Sequence, residues 1–339
     1  MKFVEYAAEH ADKVYNKICE HLPDREPKEH YKMVRDYVDR RGKYKRPAYL
    51  LLWTELYGGD LEKAILPAAA MQSSEDWILM HDDWYDQADL RRGKPSAHVL
   101  YGSEYAINAG DALHMIQWKI AFNAADQFDP ETRKRWLDKF YDMLLVTMEG
   151  QYIDMKLTES KDITKFTPED YYKSIEAKSA YYSVYGPMQM GAIIAGADPE
   201  TVERIVEYGR PVGRAFQMKD DILDITSDPE TFGKSVRNDI REGVKTLILW
   251  HAVQNARPNE LERLKAVYAK RREDKTDEEV EWVAEKFVEY GSVAHAEQKM
   301  NEFMQEALEA FERNTKNIPE SPIKETARDS ITYVVKRKK

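Results

Sequence analysis

Two short acidic clusters carry the most specific chemistry in this 339-residue chain. They are Asp82, Asp83 and Asp86, within EDWILMHDDWYDQADLRRGKP at 75–95, and Asp220, Asp221 and Asp224, within FQMKDDILD at 216–224. Both read D-D-x-x-D. On a helix the first and third acids of such a set lie one turn apart and the second and third lie three residues apart, so the side chains converge on one patch. Carboxylates that close repel one another, and either one takes up a proton or a cation settles among them. Hard oxygens with no His or Cys nearby suit Mg2+. A lone D-D-x-x-D is ordinarily a solvated helix face. Two copies, each in apolar surroundings, point instead to a metal site.

The cations near these acids match an anionic ligand. Arg91 and Arg92 follow the first cluster closely, and a guanidinium fork binds phosphate in bidentate fashion. Gly42-Lys43-Tyr44-Lys45-Arg46-Pro47 adds three more positive charges on a short loop before a helix start, a position that favours anions. Metal-bridged acids together with free cations are what a diphosphate ester requires.

The elements that must position these groups are helices. Long 3.6-period segments dominate, no pair of alternating runs is joined by a hairpin turn, and Gly and Pro are sparse at 15 and 14 residues. Phe3, Ala7, Ala11, Val14, Ile18 and Leu22 mark an amphipathic first helix. Pro47 opens a helix that Gly58-Gly59 closes, Asp60 caps the next, and Pro67 restarts it into the helix bearing the first cluster. Thr167-Pro168-Glu169-Asp170 forms a good N-terminus for a helix running past Lys178 to Tyr185, where Gly186-Pro187 breaks or kinks it. The second cluster's helix begins near Pro211 and ends before Ser227, and Glu230 to Gly243 forms a polar loop. Three or four more helices follow Asn259.

Composition limits the function classes. Hydrophobic residues make up 42% and charged residues 33%, enough for a large packed core, and a net charge of -10 argues against a general nucleic-acid binder. No apolar run approaches the roughly 18 residues a membrane span needs, and the acid-containing N-terminus is no signal peptide. The single cysteine, Cys19, excludes an internal disulfide, fits a cytoplasmic location and is expected to be a small buried hydrophobe.

With these pieces in place, the sequence resembles the trans-isoprenyl diphosphate synthases, the family of the geranyl, farnesyl and geranylgeranyl diphosphate synthases. GKYKRP resembles the family's G-K-x-x-R-P, HDDWYDQADLRRGKPSAH its first aspartate-rich motif, and FQMKDDILD its F-Q-x-x-D-D-x-x-D. Lys178-Ser179 and Gly233-Lys234 fall where the family has two more phosphate-binding lysines.

The resemblance implies an all-α, single-domain isoprenoid synthase-type bundle over residues 1–339, with a central cavity and the two clusters on facing helices at its mouth. It also implies a homodimer. Asp82, Asp86 and Asp220 would ligate three Mg2+ ions, with Asp83, Asp221 and Asp224 supporting them directly or through water. Arg91, Lys178, Gln217 and Lys234 would hold an allylic diphosphate, assisted by Ser179, and Lys43, Arg46 and Arg92 would hold isopentenyl diphosphate. Trp77, Tyr181, Tyr182 and Phe216 are candidates for lining a dry pocket around a carbocation. Trp77 stands five residues before Asp82, about 7.5 Å along a helix, where it would stop chain growth at C15 or C20, with C10 also within range.

The chain departs from the family pattern at several positions. Glu75 replaces the usual His or Gln seven residues before the first Asp, placing an extra negative charge at the isopentenyl diphosphate pocket unless a lysine neutralises it. Val244 stands where a lysine is frequent, beside Lys245, and Ser179 replaces Thr. His81 and His98 are expected to pack or hydrogen-bond.

Rival readings are a non-catalytic or regulatory subunit of a heteromeric prenyl synthase and a class I terpene synthase-like enzyme. A di-iron bundle would need Glu-x-x-His, and the nearest spacing is Asp111 to His114. The basic run Lys336 to Lys339 is by default a solvated tail, with a second reading in which it folds over the site.

Overall fold

The protein is described here by a computed structural model covering residues 1–227 and 236–336, with side chains described to 334. The expectations for Gly233, Lys234 and the basic side chains from 336 to 339 lie outside the described residues.

Helix follows helix along the chain. In order these are α1 (Phe3–Cys19), α2 (Lys28–Arg40), α3 (Lys45–Leu56) and α4 (Leu61–Tyr85), then a hairpin of β1 (Leu90–Arg91) and β2 (Lys94–Pro95). Next come α5 (Ala97–Tyr101), α6 (Ser103–Ala125), α7 (Pro130–Glu159) and α8 (Pro168–Ile175), a π-helix (Glu176–Tyr185), then α9 (Gly186–Ile194) and α10 (Pro199–Thr226). The described chain ends with α11 (Asn238–Glu242), α12 (Leu247–Asn255), α13 (Pro258–Ala269), α14 (Asp277–Glu289), α15 (Ser292–Asn314) and α16 (Pro322–Lys336). The all-α expectation holds. The hairpin was not anticipated because strands of two residues carry no readable alternation.

Packing divides the chain into two compact units, each built from non-contiguous stretches. One holds Met1–Asp142, Gly186–Ile205 and Thr315–Ser330, and the other holds Met143–Tyr185, Val206–Asn314 and the chain from Ile331. In the first unit α3 is apolar on every side, and Ala48, Tyr49, Leu50, Leu51, Leu52 and Trp53 are all buried at its centre, as an all-round hydrophobic helix must be. Its neighbour α9 approaches so closely that a Cβ on Gly191 would lie 2.2 Å from the Leu50 carbonyl oxygen. Glycine is required there for contact, not for turning. Beside them α4 presents Ala64, Ala68, Ala69 and Ala70 to the core, and these small side chains let it lie close to its neighbours.

In the second unit, glycines bound the π-helix on two sides. A Cβ on Gly150 of α7 would come within 2.2 Å of the Lys178 backbone nitrogen, and one on Gly213 of α10 within 2.3 Å of the Ala180 Cβ. The backbone around Lys178 and Ser179 is therefore held by direct helix-to-helix approach. π-helical turns are rare and concentrate at functional sites.

Several helix boundaries differ from the sequence expectation. Asp60 caps α4 through the Glu62 amide, and Thr167 forms a capping box with Asp170, both as read from the sequence. Pro67 does not restart α4, and Pro211 does not open α10, which begins at Pro199. Each proline removes a single backbone bond, and both are buried, Pro67 and Pro211 alike, so packing of the surrounding helix outweighs the loss. Gly186-Pro187 does not break the helix either. The proline sits where the bonding pattern changes from π to α, so its missing N–H coincides with the change of register. Within the stretch expected to be a polar loop, Asn238–Glu242 forms the short helix α11, with Ile240 buried beneath it. Cys19 is half-buried, not buried, and lies 3.7 Å from an Arg35 guanidinium nitrogen.

Candidate active site

The first cluster sits at the C-terminal end of α4, which raises its acids in order of exposure. Asp83 is fully buried, Asp82 is half-buried and Asp86 is exposed at the cap position. A buried carboxylate needs partners, and Asp83 has several. Arg91 Nε donates to both of its oxygens, at 2.9 and 3.0 Å, a second Arg91 nitrogen donates as well, and the Tyr37 hydroxyl donates at 2.6 Å. The hairpin explains how Arg91 arrives there. Its two-residue loop, Arg92-Gly93, has positive φ at both positions, 52° and 75°, as a type I′ turn requires.

The adjacent Arg92 turns to a different set of partners. It donates to the Tyr37 carbonyl at 2.8 Å and pairs with Asp76 at 3.0 Å, and one of its terminal nitrogens lies 3.8 Å from Glu75. Arg46, at the start of α3, meets Glu75 at 3.0 Å. Gly42 allows this crowding, because a Cβ there would lie 2.8 Å from an Arg92 nitrogen. The Glu75 charge is thus neutralised by two arginines and not by a lysine, while Lys43 is exposed on the preceding loop. Burial works against the ionised Glu75 carboxyl, but Arg46 and Arg92 overcome it and hold the group below its ordinary value. For Asp76 burial wins: despite Arg92, and with Glu75 adding repulsion, its carboxyl is pushed up to about 7.

Trp77 is buried and stacks on His114 of α6 at 4.3 Å between ring centroids, and its indole N–H donates to Gln117 at 3.3 Å. His81 packs edge-on against Trp77 and bonds to the Ile107 carbonyl at 3.2 Å, the packing role expected of it.

The second unit repeats the logic of the first. Asp221 is buried, and the Tyr171 hydroxyl donates to it at 2.6 Å, the same distance as from Tyr37 to Asp83. A relay completes its shell: the Ser179 hydroxyl donates to Gln217 at 2.9 Å, and the Gln217 amide donates to Asp221 at 3.0 Å. Asp224 accepts the backbone amides of Asn238 and Asp239 at 3.0 and 3.1 Å, tying the end of α10 to the start of α11. Lys178 meets Asp154 of α7 at 2.6 Å.

Charge crowding is strongest here. Burial raises the Asp221 carboxyl to about 7, helped by Asp220 and Asp224 and opposed by its hydrogen bonds from Tyr171 and Gln217. Asp224 is raised by burial to about 6. Asp239 is pushed well above the carboxylate range, by burial and then by Asp224, Asp221, Asp154 and Asp220. Acids held this high bind protons or cations readily.

Sequence reasoning missed Tyr37, Tyr171, Asp76, Asp154 and Asp239. The tyrosines lie 46 and 50 residues from the aspartates they brace, and nothing local marks them. Asp239 had a signal, an acid in the polar stretch immediately before Glu242-Gly243-Val244-Lys245-Thr246.

Carboxylate oxygens are the donor type that suits a divalent, oxygen-loving cation. Among the described residues, no three acidic, histidine or cysteine side chains are gathered so as to hold a metal ion unaided. Mg2+ typically takes one or two carboxylates, keeps water and shares the remaining positions with substrate phosphates.

Comparison with known proteins agrees with this chemistry. Residues 27–287 match the polyprenyl synthetase family, and the chain belongs to it. It is 36% identical over 238 residues to the geranylgeranyl diphosphate synthase of Methanosarcina mazei, covering 70% of this chain and 71% of that one. Similarity to the geranylgeranyl pyrophosphate synthase of Geoglobus acetivorans is 31% over 333 residues and spans 98% of both chains. The crystal structure of geranylgeranyl pyrophosphate synthetase from Pyrococcus horikoshii superposes with a TM-score of 0.86 at 30% identity, covering 98% of this chain and 99% of that one.

Proposed function

We propose that the chain is a short-chain prenyltransferase that joins isopentenyl diphosphate head-to-tail to an allylic diphosphate, giving a C15 or C20 diphosphate. The observation that carries this reading is the doubled acidic arrangement, in which the second aspartate of each D-D-x-x-D is buried and braced by a tyrosine at 2.6 Å. Asp82, Asp86 and Asp220 are then assigned as ligands of Mg2+, three ions in all, and the buried Asp83 and Asp221, together with Asp224, as the groups that orient them. Bound Mg2+ would neutralise the charge that develops on the departing diphosphate. We assign Arg91, Lys178, Gln217 and Lys234 to the allylic diphosphate, and Lys43, Arg46 and Arg92 to isopentenyl diphosphate. Arg91 and Lys178 are pre-positioned for this by Asp83 and Asp154, and Gln217 by Ser179. Trp77, Tyr181, Tyr182 and Phe216 are assigned to the wall that excludes water from the allylic cation.

Supporting observations extend to the assembly. The exposed Tyr141, Leu145, Met148 and Tyr152 recur at helical spacing on α7, and α6 exposes Tyr105, Met115 and Phe122. Apolar stripes of this kind suit burial against a second copy, so the working unit is proposed to be a homodimer of one catalytic domain per chain. Among the described residues no helix is long and apolar enough to cross a membrane, and with one cysteine in the chain a cytoplasmic location is proposed.

The test is incubation of the purified chain with isopentenyl diphosphate, Mg2+ and each allylic primer in turn. Product is expected only when both substrates are present, and it is expected to disappear with EDTA. A non-catalytic subunit would bind without turnover, and a terpene synthase would release diphosphate from the allylic substrate alone. Neither outcome fits this proposal. The product is further expected to lengthen by at least one five-carbon unit in Trp77→Ala, as read by mass spectrometry, because the stack on His114 would no longer close the tail pocket. An unchanged product would remove Trp77 from that role.

A further inference from the structure

The environment of Glu75 differs from that of an ordinary anion site. Arg46 and Arg92, the guanidinium groups assigned above to isopentenyl diphosphate, are matched one for one by acids: Glu75 at 3.0 Å from Arg46 and 3.8 Å from Arg92, and Asp76 at 3.0 Å from Arg92. All four side chains are poorly exposed, at 23% and 15% for Arg46 and Arg92, and at 15% and 2% for Glu75 and Asp76. With both acids ionised, this cluster of four side chains therefore carries little net charge of its own. Gln72 donates to Asp76 at 3.3 Å, which anchors Asp76 in place. The Glu75 carboxylate is held chiefly by the two arginines, Arg46 first. The Arg92 terminal nitrogen that lies 3.8 Å from Glu75 is buried beside Gly42 and makes no hydrogen bond, so its proton is not spent on either acid.

We infer that Glu75 is a specificity-determining residue that acts as a built-in competitor for the arginine pair, lowering the affinity of this subsite for a diphosphate. The inference rests on the functional reading above for the identity of the ligand. A diphosphate approaching Arg46 and Arg92 meets a carboxylate already seated there. The ligand then either displaces Glu75 or lies beside a like charge in a poorly solvated place, and both weaken binding. Lys43, on the neighbouring loop, supplies the positive charge that still admits the ligand. Glutamine at this position keeps the size and an oxygen acceptor for Arg46 while removing the repulsion.

The experiment is titration of isopentenyl diphosphate into the full-length protein, comparing wild type with Glu75→Gln and Glu75→Ala. Both variants are expected to bind about tenfold more tightly, and in turnover the KM for isopentenyl diphosphate is expected to fall while that for the allylic diphosphate stays unchanged. A structural role for Glu75 would not produce a gain in affinity confined to one substrate. Binding equal to or weaker than wild type in both variants overturns the inference. If the wild-type chain turns over no primer, the proposed function fails, yet the titration still decides the role of Glu75.

Discussion

Replacing Asp82 or Asp220 by alanine is expected to lower turnover about a thousandfold, the equivalent of about 4 kcal/mol of barrier. The reason lies in the leaving group. Diphosphate departs from an allylic carbon with its full negative charge, and electrostatic stabilisation of that charge is the greatest help the protein can give. In both clusters the second aspartate is committed to protein partners, Asp83 to Tyr37 and Arg91, and Asp221 to Tyr171 and Gln217. Asp224 is likewise committed to two backbone amides. The first acids, Asp82 and Asp220, are the ones proposed above to hold cation and diphosphate together, so their removal is expected to show in turnover. The measurement is single-turnover kinetics at saturating Mg2+ with circular dichroism as a control for folding. Rates near wild type in either variant would refute the metal assignment.

Much of this architecture was legible because helices declare themselves locally. Asp60 and Thr167 cap the helices that the sequence assigned to them, whereas the acids of each motif differ in exposure, with Asp83 buried and Asp86 exposed, instead of converging on one patch. Proline was the less dependable mark. Pro67 and Pro211 read as helix starts, yet a helix already anchored by burial tolerates one lost bond, as α4 and α10 do. Tertiary facts were not legible at all. The π-helix at Glu176–Tyr185 depends on the close approach of Gly150 and Gly213, each distant in sequence from the residue it touches. The same holds for the tyrosine braces. The aspartates could be found by spacing, but which of them are buried and braced depends on partners 46 and 50 residues away.

That division of labour within D-D-x-x-D separates stability from activity, and Asp83 is where the separation is sharpest. Asp83→Ala is expected to destabilise the protein by about 3 kcal/mol or more, whereas Asp82→Ala, at a half-buried position, should cost clearly less. Asp83 is fully buried, and its removal strands two groups at once: the Arg91 guanidinium, whose side chain is 22% exposed, and the hydroxyl of the buried Tyr37. Breaking a buried ion pair from one side is costly because the remaining charge keeps its desolvation penalty without its partner. The damage should spread through named contacts. The Tyr37 hydroxyl also accepts the Ala97 amide at 3.1 Å, its carbonyl accepts from Arg92 at 2.8 Å, and Arg40 donates to the Arg91 carbonyl at 3.1 Å. Loss of Asp83 therefore loosens the hairpin that carries both arginines and the start of α5. Urea unfolding of the metal-free protein checks this, since ligand binding cannot then mask the change. The expected result is a lower midpoint for Asp83→Ala with little change in slope, and a clearly smaller drop for Asp82→Ala. Equal midpoints for the two variants would show that Asp83 is no brace, and the distinction between ligand and support would fail with it.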